Sequence, residues 1–201
     1  MAQKSHIINR PDNQNFGILV DNIKNGYNAG LLVRSASAYG ASYVGWSGKR
    51  YTEKGNFENG DTEGFRFKYP IFAGVDNLKP LIPYKSVCVA VELCDSATSI
   101  FDFIHPKICT YILGAEDSSL SKEYLDICEH KIFIPTHHSL NLVHCATSIM
   151  FHRMQQMLTL KDEVVRCPHC GHNYYSALTD SLYKCNACGG DFPNDKQKIM
   201  V

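Results

Sequence analysis

Four cysteines are arranged in two Cys-x-x-Cys pairs. Cys167 and Cys170 form the first pair and Cys185 and Cys188 the second, with fourteen residues between them. Two such pairs supply four thiolates, the ligand set of a closed tetrahedral zinc site, and the glycines after each pair permit tight turns. A segment of about 30 residues cannot build its own core, so a metal would replace one. The spacing predicts a structural zinc ribbon, with iron or two disulfides as the alternatives.

A second group of chemically capable residues lies in Asn25–Gly40 (NGYNAGLLVRSASAYG), where a helical pattern follows an apolar run. The start of a helix offers unpaired N–H groups and a partial positive charge to a phosphate or carboxylate. Asn28 is expected to cap this helix, with Arg34 one turn into it. The alternative is a simple helix cap and a solvated arginine.

A pair of carboxylates stands in Leu113–Ser121 (LGAEDSSLS), directly after another apolar run. Glu116 and Asp117 would lie at the carboxyl end of a strand, which is where open α/β sheets bind ligands. They would equally complement the dipole of a helix that begins near Ser118, Ser119 or Ser121.

A third polar segment, Ile134–His144 (IPTHHSLNLVH), precedes a long helical pattern. Ser139 and Asn141 are both good N-caps for that helix. His137 and His138 are residues that ligate metals or move protons, although adjacent histidines are also common on exposed loops.

Short apolar runs alternate with helical patterns over the first 160 residues. The predicted strands are Phe16–Val20, Tyr43–Trp46, Val87–Leu93, Thr110–Leu113 and Lys131–Ile134, and the predicted helices are Ala29–Tyr39 and about Asn141 to Leu158. Runs that are apolar on both faces and alternate with helices predict an α/β fold, with a parallel sheet covered by helices on both faces. The segment Ser47–Gly64 has no periodicity and is predicted to be a loop, either a binding loop or a solvated insertion.

The composition limits the classes of protein and the compartment. Twenty Lys and Arg balance twenty Asp and Glu, which excludes a uniformly basic nucleic-acid binder and requires a local patch for any RNA. The first 15 residues lack an apolar signal region, and no apolar run approaches the ~20 residues of a membrane span. We therefore expect a cytoplasmic protein without a membrane partner. Its main domain would cover residues 1–160 and its metal module residues 161–201, and the cysteines outside the pairs would be buried thiols: Cys88, Cys94, Cys109, Cys128 and Cys145.

Three motifs occur together in a fixed order. They are N-x-G-x-x-x-R at Asn28–Arg34, L-G-x-E-D at Leu113–Asp117 and I-P-x(3)-S-L-N at Ile134–Asn141. In this order they resemble the SpoU/TrmH family of RNA ribose 2′-O-methyltransferases, of the SPOUT superfamily, over about Phe16 to Met157. The sequence departs from the common family pattern at Asp117-Ser118-Ser119, where many members have a glycine-rich turn, and this leaves the substrate subclass open.

The resemblance implies a fold and an assembly. The fold is a parallel sheet whose C-terminal segment is threaded into a trefoil knot that forms an S-adenosylmethionine pocket. The assembly is a homodimer through the C-terminal helix of the knot, with each site completed by both subunits. The expected contact surface is the apolar stripe of that helix, formed by Leu142, Cys145, Ile149 and Met150.

The resemblance also implies roles for individual residues. Arg34 would lie beside the target ribose with Asn28, Glu116 is the acid of the second motif, and Ser139 and Asn141 would lie near cofactor and substrate. The backbone expected to cradle the cofactor is that around Leu93, Gly114, Ile134 and Leu140.

The function implied is S-adenosylmethionine-dependent methylation of a ribose 2′-hydroxyl in tRNA or rRNA. The alternative is a non-catalytic RNA-binding or assembly protein that retains the fold. The zinc ribbon and Ser47–Gly64 are the candidate elements for RNA recognition.

Overall fold

The computed structural model describes residues 15–48, 50, 57–115, 117–161, 168–169, 175–179 and 182–193. The chain divides into two compact units, Met1–Met154 and Gln155–Val201. Within the described ranges, no helix has the length and apolar character needed to cross a bilayer.

The first unit is built on a seven-stranded sheet. Its strands are β1 (Asn15–Val20), β2 (Tyr43–Ser47), β3 (Ile71–Val75), β4 (Val87–Val91), β5 (Thr98–Ser99), β6 (Ile108–Leu113) and β7 (His130–Phe133). The order across the sheet is β3-β2-β1-β6-β4-β7-β5, and every neighbouring pair is parallel. The predicted α/β class and parallel sheet are therefore confirmed. All the strands end at the same edge, which is where the predicted polar segments begin.

Four α-helices lie in the described part of the chain. They are α1 (Gly26–Tyr39), α2 (Phe57–Gly60), α3 (Lys122–Leu125) and α4 (Leu142–Lys161). Helix α1 is capped by Asn25, whose side chain accepts a hydrogen bond from the Tyr27 N–H at 2.9 Å. The helix ends at Gly40, whose φ of 78° permits the left-handed turn that closes it. The prediction that Asn28 caps α1 is wrong, because the helix starts before Asn28.

Alternate residues of the central strands enter two separate hydrophobic cores, since successive side chains of a strand point to opposite faces. One core packs the sheet against α1 and α4 and includes Ile18, Val20, Leu32, Val89, Val91, Tyr111, Leu113, Ala146, Ile149 and Met150. The other packs it against α3 and includes Leu19, Leu78, Ala90, Ile112 and Tyr124. Both faces are therefore covered, as a parallel sheet requires.

Two sequence predictions differ from the structure because of these cores. Leu142, Ile149 and Met150 of α4 are at most 4% exposed and pack onto the sheet, so the apolar stripe predicted to form a dimer contact is core instead. The predicted loop Ser47–Gly64 is partly regular, since Ser47 ends β2 and residues 57–60 form α2. Residues 49 and 51–56 of that segment lie outside the described part of the chain.

The five single cysteines divide into two groups. Cys88, Cys109 and Cys128 are buried, as predicted, and burial raises the pKa of Cys128 to about 12. Cys94 and Cys145 are only partly buried.

The second unit contains a three-stranded antiparallel sheet of β8 (Tyr175–Thr179), β9 (Leu182–Cys185) and β10 (Asp191–Pro193), in the order β10-β9-β8. Tyr183 and Phe192 are buried with their ring centroids 5.8 Å apart.

A buried histidine lies between the sheet and α4. His105 is 2% exposed; its Nδ1 is hydrogen-bonded to the Tyr111 hydroxyl at 2.5 Å and its Nε2 to His152 Nδ1 at 2.9 Å. Arg153 fills the same region and donates to the carbonyl oxygens of Pro106 and Lys107. Burial, followed by the charges of Arg153 and His152, lowers the pKa of His105 from 6.5 to about 3.

The His105 site predicts a specific dependence of stability on pH. Between pH 6.5 and 3 the unfolded chain binds a proton at this residue that the folded chain does not. Stability should therefore fall as the pH falls, by up to about 1.4 kcal/mol per pH unit from this group. His105→Gln should flatten the pH dependence of the unfolding free energy, measured by urea denaturation, whereas the exposed His144→Gln should not. Equal slopes for the two variants would contradict this assignment.

Candidate functional site

A cavity of about 600 Å³ opens where β4, β6 and β7 end. Its walls are the segments that follow these three adjacent strands, together with Leu142 and Cys145 of α4. The carboxyl edge of a parallel sheet is the usual ligand position in open α/β folds, and this volume is typical of a small-molecule site.

The structure brings the four residues predicted to cradle a cofactor to this one cavity. Leu93 follows β4, Gly114 follows β6, and Ile134 and Leu140 follow β7; Ser139 lines the same wall. Leu93 is 79% exposed and Leu140 is 40% exposed, so the cavity offers apolar contacts beside backbone polar groups.

The first and third motifs meet through two asparagines. The amide Nδ2 of Asn141 donates to Oδ1 of Asn28 at 3.5 Å, and Asn28 is buried. The Oδ1 of Asn141 accepts from the Val143 N–H at 2.8 Å, so Asn141 also caps α4, as predicted. The Asn141–Asn28 hydrogen bond holds the start of α4 against α1.

Arg34 lies apart from the cavity. It is exposed, six residues beyond Asn28 on α1 and hence about 9 Å further along the helix axis. Its Nη1 donates to Thr62 Oγ1 at 2.7 Å, and it is not among the residues that line the cavity.

The segment that contacts Arg34 is packed closely on α1. A Cβ on Gly30 would lie 2.2 Å from the carbonyl oxygen of Phe57, and one on Gly60 would lie 2.5 Å from that of Tyr27. Only glycine at both positions allows the two backbones to approach this closely. The carboxylate of Asp61 is buried and accepts from the N–H groups of the two residues that follow Gly64, at 2.8 and 3.0 Å. Arg34 therefore projects beside a rigid support.

Asp117 joins three loops at the edge of the sheet. Its carboxylate lies 3.0 Å from Lys24 Nζ and 2.9 Å from Arg50 Nη1, and Arg50 Nη2 also donates to the carbonyl of Asn22 at 2.7 Å. The hydrogen bonds from Lys24 and Arg50 hold the pKa of Asp117 below its usual value. These ion pairs tie the turn at Asp117 to the loops that carry Lys24 and Arg50. Glu116 lies outside the described residues, so its predicted role stays a prediction.

Glu92 is a site residue that the sequence analysis missed. It follows β4 and lines the cavity, and its two carboxylate oxygens accept from the N–H groups of Leu120 at 2.6 Å and Leu93 at 3.1 Å. Across the cavity, burial and then the Glu92 charge raise the pKa of Cys145 to about 11. The signal in the sequence is a charged residue near the end of the run Val87–Leu93, but such a run by itself predicts only a strand.

The predicted metal ligands are described in part. Cys185 is buried and Cys188 is exposed, and the turn between them is closed by a hydrogen bond from the Gly189 N–H to the Cys185 carbonyl at 2.8 Å. Cys167 and Cys170 lie outside the described residues. Within the described part, no group of three or more His, Cys, Asp or Glu side chains is placed to hold a metal ion.

Comparison with known proteins identifies the family. A profile of the SpoU rRNA Methylase family matches residues 15–152. The chain is also 29% identical, over 149 residues, to the tRNA (guanosine(18)-2′-O)-methyltransferase of Aquifex aeolicus (strain VF5), covering 69% of this chain and 68% of that protein. Because the profile covers more than half of the sequence, the chain belongs to the SpoU rRNA Methylase family, which confirms the family predicted from the three motifs.

Solved structures share the fold. The SpoU methyltransferase AviRb from Streptomyces viridochromogenes has a TM-score of 0.63 and 22% identity, covering 72% of this chain and 60% of that one. The Aquifex aeolicus TrmH/SpoU tRNA modifying enzyme has the same TM-score and identity, with coverages of 74% and 78%. AviRb has also been solved in complex with the cofactor AdoMet. The chain thus spans about 60% of the length of AviRb.

The two contacts of Asn141 predict different effects for two substitutions. Asn141→Ala removes the cap of α4 and should lower the free energy of unfolding by about 1 kcal/mol. Asn141→Asp keeps a capping oxygen but, like Asn141→Ala, loses the donor to Asn28, so it should be destabilised less than Asn141→Ala by about the value of the cap. Urea denaturation of both variants checks this; an equal loss in both would show that the cap is not the stabilising contact.

Proposed function

We propose that this chain is an S-adenosylmethionine-dependent methyltransferase that acts on a ribose 2′-hydroxyl of tRNA or rRNA. The observation that carries the proposal is the cavity at the ends of β4, β6 and β7, which gathers residues of the second and third motifs. The Asn28–Asn141 contact adds the first motif to the same region. The similarity to the tRNA (guanosine(18)-2′-O)-methyltransferase of Aquifex aeolicus favours tRNA.

The cavity fits the cofactor in size and in the groups it offers. Backbone around Leu93, Gly114, Ile134 and Leu140 would hold it, and a volume of about 600 Å³ accommodates a ligand of this class. When bound, S-adenosylmethionine supplies an electrophilic methyl group. The contribution of the chain is to hold that group in line with the ribose oxygen in a site with little water.

Arg34 is proposed to bind the RNA phosphate and polarise the 2′-hydroxyl. A guanidinium does not deprotonate in proteins, so it cannot serve as the base, and the proton would leave through the phosphate or water. Ser139 and Asn141 would position substrate and cofactor, while Asn28 holds Asn141 in place. Glu116 keeps the role of the acid of the second motif.

We also propose a homodimer in which each site is completed by both subunits. Arg34 does not line its own cavity, which is consistent with a site shared between chains. The contact would use the exposed side of α4 rather than its core stripe. Phe151 is 51% exposed there, and Phe101, 72% exposed, packs edge-on against His152. Nearby Ile104 is 74% exposed.

A threaded C-terminal segment is part of the proposal. Strand β7 lies between β4 and β5, both of which precede it in the chain. Residues 134–140, which follow β7, line the same cavity as residues 92 and 93, which follow β4. This arrangement supports the proposal that the segment after β7 is threaded, although knots are nearly absent from proteins in general.

The second unit is proposed to be a zinc ribbon. The Cys185–Gly189 turn has the form of one zinc knuckle, with Gly189 at a φ of 76°. A Cβ on Gly190 would lie 2.8 Å from the His169 ring and 3.5 Å from Cys188 Sγ, so the turn packs closely on the segment that carries the other predicted pair. Cys167, Cys170, Cys185 and Cys188 would hold the ion, with a structural role. Such thiolates persist in the reducing cytoplasm, which is the proposed compartment.

Substitution of Arg34 separates chemistry from cofactor binding. Arg34→Ala should lower the rate of methyl transfer to RNA at least about 100-fold, because a positioned cation is lost from the developing oxyanion. The calorimetric Kd for S-adenosylmethionine should change less than about twofold. The exposed Lys68→Ala serves as the matched control and should keep its rate. Near-normal turnover by Arg34→Ala would refute its role, and absence of cofactor binding by the wild type would favour the non-catalytic alternative.

The zinc assignment predicts a measurable metal content. The purified chain should carry about one zinc ion, as expected for one closed four-thiolate site. The Cys188→Ser variant should contain little zinc, and its second unit should unfold, because the metal takes the place of a hydrophobic core there. Elemental analysis by mass spectrometry checks this, with Cys94→Ser, a cysteine outside the pairs, as the control. Iron, or no metal with two disulfides, would contradict the assignment.

A further inference from the structure

The charges on the cavity wall are unbalanced. Among the described lining residues there are two carboxylates, Glu92 and Asp117, and no lysine or arginine. Asp117 is neutralised by Lys24 and Arg50, at 3.0 and 2.9 Å. Glu92 forms no ion pair with any residue that the structure describes. One carboxylate on this wall is therefore compensated by cations and the other is not.

The Glu92 carboxylate is fixed in position. The N–H groups of Leu120 and Leu93 each donate to one of its oxygens, so the backbone holds both oxygens. Its own N–H donates to the Ile132 carbonyl at 3.0 Å, so its backbone is tied to β7. The side chain is partly buried, and there its charge acts with less screening than in water.

We propose that Glu92 makes this cavity select the cationic cofactor S-adenosylmethionine over its neutral product S-adenosylhomocysteine. The proposal rests on the proposed function. The two molecules share their adenosine and amino-acid parts and differ by one methyl group and one positive charge on sulfur. An uncompensated carboxylate on the wall attracts the molecule that carries the extra charge. The attraction ends when that charge is lost, which favours release of the product.

The alternative explanation of Glu92 is purely mechanical. Its hydrogen bond to the Leu120 N–H holds the loop that follows β6, and this loop lines the cavity. Loss of this support would weaken both ligands by the same factor. The ratio of the two dissociation constants therefore distinguishes a charge effect from a support effect.

The test measures both ligands by isothermal calorimetry at constant pH and ionic strength, on the full chain. The neutral variants Glu92→Gln and Glu92→Ala should lower the preference for S-adenosylmethionine over S-adenosylhomocysteine about tenfold relative to the wild type. Glu92→Asp keeps the charge and should keep most of the preference. Glu129→Gln is the matched control: Glu129 is exposed and directly precedes β7, at the sheet edge opposite the cavity, so the preference should stay within about twofold of the wild type.

Two results would overturn the inference. One is an unchanged preference in both neutral variants, whatever the change in the individual affinities. The other is an equal drop in preference for Glu129→Gln, which would show that the effect does not depend on a charge at the cavity wall. Failure of the wild type to bind either ligand would instead overturn the proposed function. Circular dichroism of each variant confirms that folded protein is compared.

Discussion

The parallel arrangement of β4, β6 and β7 is the constraint on which the rest of the structure depends. Parallel strands end at one edge, so the segments after these three strands, far apart in the chain, form the walls of one cavity. The same arrangement requires both faces of the sheet to be covered. That requirement draws the apolar stripe of α4 into the core and leaves the polar start of the helix at the cavity.

The chain carries no net charge, so the electrostatic field at the carboxyl edge of the sheet comes from the few charged side chains that lie there. Lys24 and Arg50 are engaged by Asp117, Arg34 is exposed beside Thr62, and Glu92 is uncompensated on the cavity wall. The cavity therefore presents negative charge inside, while the cations lie around it or further along α1. This separation suits a cationic small molecule inside and a polyanion outside.

Much of this site was predictable from sequence because it depends on local signals. The apolar runs located β1, β2, β4, β6 and β7 to within a few residues. The grouping of Leu93, Gly114, Ile134 and Leu140 came from the resemblance to the family that the three ordered motifs carry. The features that the sequence did not predict depend on tertiary contacts. The edge strand β3, Ile71–Val75, is a short apolar run that is largely exposed, and such a run does not by itself show that it pairs with β2.

The errors at the site have the same origin. Asn25 and Asn28 are both plausible caps, and only the starting residue of α1 decides between them. The stripe on α4 is apolar whether it faces a sheet or a partner, so periodicity cannot separate core from interface. Glu92 stands at the end of an apolar run, and its importance follows from the lack of an ion-pair partner for it within the described structure, which spacing does not reveal.

The central claim is that this site methylates ribose in RNA. The most direct measurement is incubation of the protein with total RNA and isotopically labelled S-adenosylmethionine, followed by digestion of the RNA to nucleosides and identification of the labelled products. The account predicts label in 2′-O-methylated nucleosides, from tRNA or rRNA. Label found only on bases, or no transfer by a protein that binds the cofactor, would contradict it.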